Sequence, residues 1–456
     1  VGNNISVAKL VMPSNNIGDD VYIHTGMLDG ALQSIIGMNI ADGSMKDLTS
    51  PSIPFALNKA EVFKKCTDEM WAIVRKTSPS SSNINKYNVS LCDEAGNVCI
   101  KITEYASRTM EAKSNNSEQV DTALLCKNWT KTVGTEKDVQ FAKRYVVVCN
   151  MPKTYAILSA KYKGDESVAI KELQSKGKSN AEKYSGYAVS LFNILKDFFN
   201  SNKSEKVLLQ LVYNSKSFSE LNVALGAELK TACLERPNLF FAHSVGITNE
   251  TNIAEILDNE KEFAYNGNIL YKDGERYIET ISEFKPDEEI KPIWKDNVVY
   301  VITGGTGGLG TLFAKEIADN TENSKIILTG RKKPDSKIQT IIDSIDGSKV
   351  SYVQMDVTNK VSVKNAVEKI TGKYGKINGI IHSAGIIRDN YIIRKTDSEF
   401  KSVLQPKVLG VEYLDEATKK QPLDFMILFS STTGSNGNAG QADYAAANAF
   451  MDIFSK

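Results

Sequence analysis

The sequence predicts an α/β fold that ends in a doubly wound parallel sheet. A second, truncated βα layer precedes it, and an α+β unit opens the chain. Three observations lead there. From residue 297 onward, near-continuous apolar runs alternate with amphipathic stretches, as in parallel strands covered on both faces. From 138 to 296 the alternation persists, but no strand runs into a glycine-rich turn. Before 110, single apolar and polar residues alternate on both sides of a turn, as in an antiparallel hairpin.

Composition narrows the function classes. The chain has 456 residues, enough for two to four domains, and 41% of them are hydrophobic. Lys and Arg together number 55, as do Asp and Glu, so no net charge attracts nucleic acid or an acidic membrane. The six cysteines (Cys66, Cys92, Cys99, Cys126, Cys149, Cys233) form no CxxC pair, which argues against a metal site or a disulfide framework. Scattered reduced thiols fit a cytoplasmic protein. No 18-residue apolar run and no leader pattern is present. The chain starts at Val1 and stops inside the helical pattern "ANAFMDIFSK", so a piece of a longer polypeptide is expected.

Within 1–110, "EMWAIVRKT" reads as a strand and "NKYNVSLCDEAGNVCIKITEYAS" as a hairpin turning at Asp93-Glu94-Ala95-Gly96. "LDGALQSIIGM" (28–38) reads as one helix. Residues 111–137 are polar with little periodicity and read as a linker. In the unit 138–296, "RYVVVCN", "TYAILSAKY" and "KVLLQLVYN" read as strands. "SGYAVSLFNILKDFF" (185–199) and "ELNVALGAELKTACLERP" (220–237) read as helices. In the unit 297–456 the strands are "VVYVITG" (298–304), "KIILTG" (325–330), "KVSYVQMDV" (349–357), "INGIIHSAG" (377–385) and "DFMILFSS" (424–431), with helices between them. Right-handed crossovers then give a Rossmann-type sheet.

The first of these strands enters "ITGGTGGLGTLFAKEIADN". Gly305-x-Gly307-x-x-Gly310 fits the dinucleotide fingerprint, and Thr303-Gly304-x-x-x-Gly308-x-Gly310 fits its reductase variant. Glycines permit the tight turn and bring backbone N–H groups to a pyrophosphate at the helix N-terminus. Thr303, Gly304, Gly305, Thr306, Gly307, Gly308, Leu309 and Gly310 are the candidate cofactor residues here. The alternative is a plain glycine-rich turn. Leu309, Leu312, Phe313 and Ile317 are expected to share one helix face. The second strand ends in "LTGRKK". Arg331 therefore stands where an acid would hold a ribose hydroxyl, and a guanidinium suits a 2′-phosphate. That favours NADPH over NADH, the alternative being a solvated basic turn. Asp356 follows the third strand, where it could meet the adenine.

Carbonyl reduction needs a hydride and then a proton on the oxygen. A tyrosine delivers that proton if a nearby ammonium favours its phenolate. Ser431 and Tyr444 lie 13 residues apart, but Asn448, not lysine, stands four residues after the tyrosine. Lys407 lies 24 residues before Ser431, in "FKSVLQPKVLGVEYLDEAT". With "GNAGQADYAAANAFMD", these residues resemble the ketoreductase domains of modular polyketide synthases and animal-type fatty acid synthases, members of the short-chain dehydrogenase/reductase superfamily. There, lysine and asparagine exchange places relative to ordinary short-chain dehydrogenases.

The resemblance implies an NADPH-dependent reduction of a β-ketoacyl thioester during polyketide (or fatty acid) chain assembly. The substrate would hang from the phosphopantetheine of an acyl carrier protein, beside adjacent synthase domains. Tyr444 would be the acid, Lys407 its pKa tuner and Ser431 the carbonyl holder, with Asn448 supporting the lysine and a relay water. Val357, Ala384 and Gly385 would join the cofactor cleft. Ile387-Arg388-Asp389 keeps the second aspartate of the family's Leu-Asp-Asp, and Asn436 replaces a tryptophan, which implies the D-hydroxyl type. Residues 138–296 look like the family's structural subdomain, which lacks a cofactor loop, and 297–456 like its catalytic subdomain, truncated at the C-terminus. "VYIHTGMLDGALQ" resembles the second half of a dehydratase, a double hot-dog fold, with Asp29 and Gln33 in its Asp-x-x-x-Gln. The alternative role for Asp29 is a helix cap. The dehydratase histidine motif is absent, so this part is expected not to dehydrate by itself. Two other readings stand beside the main one: a stand-alone reductase of small ketones, and a non-catalytic scaffold segment.

Overall fold

A computed structural model describes residues 4–12, 22, 24–41, 52–77, 84–109, 123–137, 139–201, 204–250, 252–285 and 293–456. They fall into two compact units, Val1–Thr122 and Ala123–Lys456.

The first unit is an antiparallel sheet with helices. Strands β1 (Ile5–Val11), β2 (Ser52–Val62), β3 (Glu69–Lys76), β4 (Ile84–Cys92) and β5 (Val98–Thr109) lie in the order β1-β3-β4-β5-β2. Both expected hairpin strands form. Their turn is held by the Asp93 carboxylate, which accepts the Asn97 backbone N–H at 2.8 Å, and Gly96 takes φ +82°. The single helix expected over 28–38 is two, α1 (Thr25–Gln33) and α2 (Ile36–Ala41). The Ser34 hydroxyl turns back to donate to the Ala31 carbonyl at 2.7 Å, which competes with continued helix between them. Met27 and Ala31 of α1 pack in one core with Met70, Val74, Leu91 and Ile100.

The second unit holds two sheets, the first mixed and the second wholly parallel. Its first sheet contains β6 (Leu124–Lys131), β7 (Lys143–Cys149), β8 (Val168–Leu173), β9 (Val207–Asn214), β10 (Phe240–Ile247), β11 (Gly267–Lys272) and β12 (Glu275–Phe284). Their order is β6-β12-β11-β10-β9-β7-β8. Its helices are α3 (Pro152–Lys161), α4 (Asn180–Ser201), α5 (Gly226–Glu235) and α6 (Ile253–Phe263), with a 3-10 helix at Ser217–Leu225 before α5.

Two expectations fail here. "TYAILSAKY" is not a strand but most of α3, with Pro152 at its start, where the fixed φ of proline suits a helix. Thr154 and Leu158, four residues apart, are its buried pair, while its apolar tyrosine and isoleucine imitate strand alternation. The linker expected over 111–137 is also too long. Its 124–131 portion is β6, paired antiparallel with β12 from Lys131↔Tyr277 to Leu124↔Phe284, and residues 110–122 lie outside the described residues.

The second sheet is built from β13 (Val299–Thr303), β14 (Lys325–Gly330), β15 (Val350–Gln354), β16 (Gly379–His382) and β17 (Phe425–Leu428). The order is β15-β14-β13-β16-β17 and every pairing is parallel. This is the 3-2-1-4-5 arrangement of the doubly wound fold, with the switch point between β13 and β16. Helices α7 (Gly308–Asn320), α8 (Ser336–Ile345), α9 (Lys360–Tyr374), α10 (Asp397–Thr418), α11 (Thr433–Asn436) and α12 (Ala442–Phe454) connect and follow the strands. On α7 the expected apolar face is rotated. Gly310, Ala314, Ile317 and Ala318 are buried, whereas Leu309 and Leu312 are more than half exposed.

Helices belonging to both sheets of this unit share one core. Tyr184, Ala188, Leu191 and Phe192 of α4 and Leu229 of α5 cluster with Phe400 and Leu404 of α10 and Ala442, Ala445, Ala446 and Phe450 of α12. The run of alanines lets the α12 backbone approach closely, and the Tyr184 hydroxyl donates to the Ala446 carbonyl at 2.8 Å. Glu412 of α10 in turn caps α4, accepting from the Ser179 hydroxyl and from the Ala181 N–H.

Candidate active site

The glycine loop joins β13 to α7. Gly304 has φ +63°, and a Cβ there would stand 2.9 Å from Ala384 Cα on the neighbouring β16 loop. At Gly310 a Cβ would stand 2.6 Å from Gly305 Cα, so the first turn of α7 closes directly on the loop. Ordinary side chains are excluded from both positions. By contrast, nothing lies within 4 Å of a Cβ placed on Gly308, so the loop opens outward there. Gly307 is the N-cap and no side chain caps α7. Its first N–H groups are therefore left for an anion. Arg331 follows β14 and is exposed. Asp356 and Val357 follow β15, with the Asp356 carboxylate accepting from Thr358 N–H at 2.9 Å. Ala384 N–H donates to Thr303 Oγ1 at 3.2 Å, and Gly385 lies against the Lys407 side chain. These residues, with the open loop and the uncapped helix, fit a nicotinamide dinucleotide. Thr306 is half-buried in the loop, and Leu309 is exposed on the first turn of α7.

A second group gathers beside the switch point. Lys407 sits mid-way along α10, a helix started by a full capping box between Thr396 and Glu399. It is buried, its Nζ donates to the Phe429 carbonyl at 2.8 Å, and that Nζ lies 5.4 Å from the centre of the Tyr444 ring. Burial lowers its pKa to about 8, with Asp452 pulling the other way. Asn448 is fully buried one turn after Tyr444; its Nδ2 donates to the Tyr444 carbonyl at 2.7 Å. Among the described residues its Oδ1 has no partner. Ser431 lies three residues past the end of β17 rather than within it, and its Oγ accepts the Thr433 N–H at 3.2 Å. The adjacent Ser430 hydroxyl donates to the Asn448 carbonyl at 3.1 Å, fastening the serine segment to α12.

His382 fixes this arrangement from below. Its Nε2 faces the Pro406 carbonyl at 3.1 Å, an acceptor only, so Nε2 carries the proton and Nδ1 accepts from Thr303 Oγ1 at 2.8 Å. Burial, then the Lys407 charge, hold its pKa down to about 3, so it is neutral. It thus ties the cofactor-loop strand to the turn of α10 that carries Lys407.

Sequence reasoning missed two buried acids. Asp443, immediately before Tyr444, pairs with Lys395 at 2.7 Å, both side chains almost wholly buried. Burial raises the Asp443 pKa to about 6 against the opposing Lys395 ammonium. Glu228 of α5 is fully buried with neither carboxylate oxygen partnered among the described residues, and burial raises its pKa well above the usual range. The motif does contain Asp443, but nothing in the sequence points from it to Lys395.

In the first unit, Asp29 lies within α1, not at its cap. It is exposed, and its carboxylate accepts from Gln33 Nε2 at 2.7 Å. Among the described residues there is no cluster of side chains able to hold a metal, and no helix is long and apolar enough to cross a membrane. All six cysteines are free thiols.

Comparison with known proteins places these features. A family model described as "KR domain" matches residues 298–456, and one described as "Polyketide synthase dehydratase N-terminal domain" matches residues 1–116. The second match supports dehydratase kinship, but it goes to the N-terminal domain rather than to the second half expected from Asp29 and Gln33. Polyketide synthase PksN of Bacillus subtilis (strain 168) is 35% identical over 99% of this chain, and polyketide synthase PksL of the same organism is 34% identical over 100%. The chain spans only 8% and 10% of the lengths of these two synthases. A ketoreductase domain from the bacillaene assembly line is 32% identical with a TM-score of 0.66, over 72% of this chain and 78% of that one. A ketoreductase from the macrolactin assembly line is 25% identical with a TM-score of 0.58, over 73% and 79%. The chain belongs to the polyketide synthases and carries their ketoreductase domain behind a dehydratase-type segment.

Proposed function

We propose that the chain reduces a β-ketoacyl thioester to the β-hydroxyacyl thioester with NADPH, the acyl group being tethered to an acyl carrier protein in the cytoplasm. The observation that carries this reading is the burial of Lys407 against the Tyr444 ring, with Asn448 one turn away and the glycine loop on the adjoining strand.

The reaction adds a hydride to the carbonyl carbon and a proton to its oxygen. A bound nicotinamide dinucleotide supplies the hydride. Tyr444 donates its phenolic proton to the carbonyl oxygen, while the Ser431 hydroxyl holds that oxygen by a hydrogen bond. The Lys407 ammonium beside the ring favours the phenolate that remains. The unpartnered Oδ1 of Asn448 accepts from a water that returns the proton. Thr303, Gly304, Gly305, Thr306, Gly307, Gly308, Leu309 and Gly310 would hold the pyrophosphate, and Arg331 the 2′-phosphate. Asp356, Val357, Ala384 and Gly385 would line the remaining cleft. Asp389 accepts from Gln441 Nε2 at 2.9 and 3.0 Å, which keeps its loop against α12; its presence in Ile387-Arg388-Asp389, with Asn436 in place of a tryptophan, supports the D-hydroxyl product.

The test is cofactor-dependent reduction of a carrier-bound 3-oxoacyl chain, compared with cyclohexanone and with NADH. Faster turnover of the carrier-bound chain is expected. A preference for NADPH that Arg331→Ala erases by roughly ten- to a hundredfold is also expected. Equal rates on the free ketone support the stand-alone reading. No thermal shift with NADPH supports the scaffold reading.

A further inference from the structure

We propose that Glu235, at the end of α5 in the sheet that carries no cofactor loop, is a positioning residue for the reduction: it spans two segments of the catalytic sheet and fixes the distance between them. The inference rests on the reductase reading above.

The segment 383–396 runs from the end of β16 to α10, and the segment 437–443 leads into Tyr444. One Glu235 carboxylate oxygen accepts the Ile392 N–H at 2.8 Å, and the other accepts the Gly440 N–H at 3.0 Å. The carboxylate thus holds one amide of each segment. The segments also meet directly: Asn390 N–H donates to the Gly440 carbonyl at 2.9 Å, where Gly440 takes φ +82°. Lys395 Nζ donates to the Arg388 carbonyl within the first segment and to Asp443 Oδ2 in the second, at 2.7 Å for the latter. Asp443 Oδ1 accepts the N–H of Tyr444 itself at 2.8 Å. A continuous path therefore runs from Glu235 through both segments to the backbone of the tyrosine.

Two further contacts show that α5 is seated on this region. Lys230 Nζ donates to the Ser435 carbonyl at 2.7 Å, and Thr231 Oγ1 accepts the Asn438 N–H at 3.2 Å. These touch only the segment before α12. Glu235 alone on α5 is bonded to both. A carboxylate suits this place because each oxygen can accept from a different N–H. An amide cannot, since its NH2 would face one of the donors.

The experiment compares wild type, Glu235→Gln, Glu235→Asp and Thr231→Val in the full chain. The probe is the N-acetylcysteamine thioester of 3-oxopentanoic acid with NADPH. Glu235→Gln is expected to lower kcat about tenfold, in line with small misplacements of reacting groups, and to leave the Kd for NADPH unchanged. It is also expected to raise the share of the minor alcohol enantiomer. Glu235→Asp, which keeps the charge but is too short to reach both amides, is expected to erode the enantiomer ratio in the same way, and it serves if the glutamine variant fails to fold. Thr231→Val is expected to lower Tm without changing that ratio. Glutamate variants that lose Tm but keep kcat and the enantiomer ratio overturn the proposal. A wild-type chain that reduces neither the probe nor a carrier-bound 3-oxoacyl chain overturns the reductase reading instead.

Discussion

The two sheets of the second unit, one mixed and one wholly parallel, solve the same layering problem and differ first at one turn. Strand β13 leaves its sheet through Gly304–Gly310 and opens toward the uncapped end of α7. Strand β7 leaves through Asn150 and the buried Met151 directly into Pro152 of α3. One turn exposes backbone donors; the other buries a methionine and starts its helix on a proline, which has no N–H to offer. The sheets differ in extent too. The first has the parallel order β8-β7-β9-β10-β11, one strand short on the β8 side of the arrangement seen in the second, and it is extended at its opposite edge by antiparallel β12 and β6. Removing the cofactor turn does not make that sheet inert. Its helices α4 and α5 cover α10 and α12, which bring Lys407, Tyr444 and Asn448 together. A cofactor platform and a support for it can thus be built from one architecture, and backbone geometry at a single loop separates them.

Tyr444→Phe tests the chemistry assigned to the second sheet most directly. Loss of the proton donor is expected to reduce turnover by about 10²–10⁴-fold, measured as NADPH oxidation with a β-ketoacyl thioester. Wild-type NADPH affinity together with unchanged Tm would assign the loss to chemistry. A variant that keeps its rate would remove the tyrosine from the mechanism. The next effect is in pH. Lys407 is charged below its lowered pKa and neutral above it, so turnover is expected to fall as pH rises past about 8, up to about tenfold per unit. A flat profile from pH 7 to 10 would count against the role given to the ammonium.

Legibility followed sequence distance. The glycine loop and the Ser431, Tyr444 and Asn448 spacing are local patterns whose geometry is set by one strand-to-helix turn and one helix, so they could be read directly. Lys407 could be placed only through resemblance. The α3 segment was misread because alternating bulky apolar residues suit either period, and Pro152 was the decisive signal. Strand β6 was hidden in a polar stretch because it is an edge strand whose pairing partner lies about 150 residues away. The Lys395–Asp443 pair spans 48 residues, and the Glu235 contacts span 157 and 205. No periodicity encodes such meetings; they are products of how two separately legible layers pack.

The same charge can be placed at the start of two helices, each following the first strand of its βα layer. Leu309 is the second residue of α7 and more than half exposed; Lys153 is the second residue of α3 and exposed. A carboxylate in the first turn interacts favourably with the helix dipole in both cases. At α7 it also occupies the place proposed for the pyrophosphate. Leu309→Asp is therefore expected to weaken NADPH binding about tenfold or more, read by calorimetry, while Tm of the cofactor-free protein does not fall. Lys153→Asp should act only on stability, by about 0.3–1 kcal/mol, leaving NADPH affinity and turnover unchanged. In a unit of this size that is a rise in Tm of roughly a degree or two. If Lys153→Asp also weakens the cofactor, the first sheet takes part in dinucleotide binding and the division of labour between the sheets is wrong. If Leu309→Asp leaves NADPH binding intact, the open turn after β13 is not where the phosphates lie.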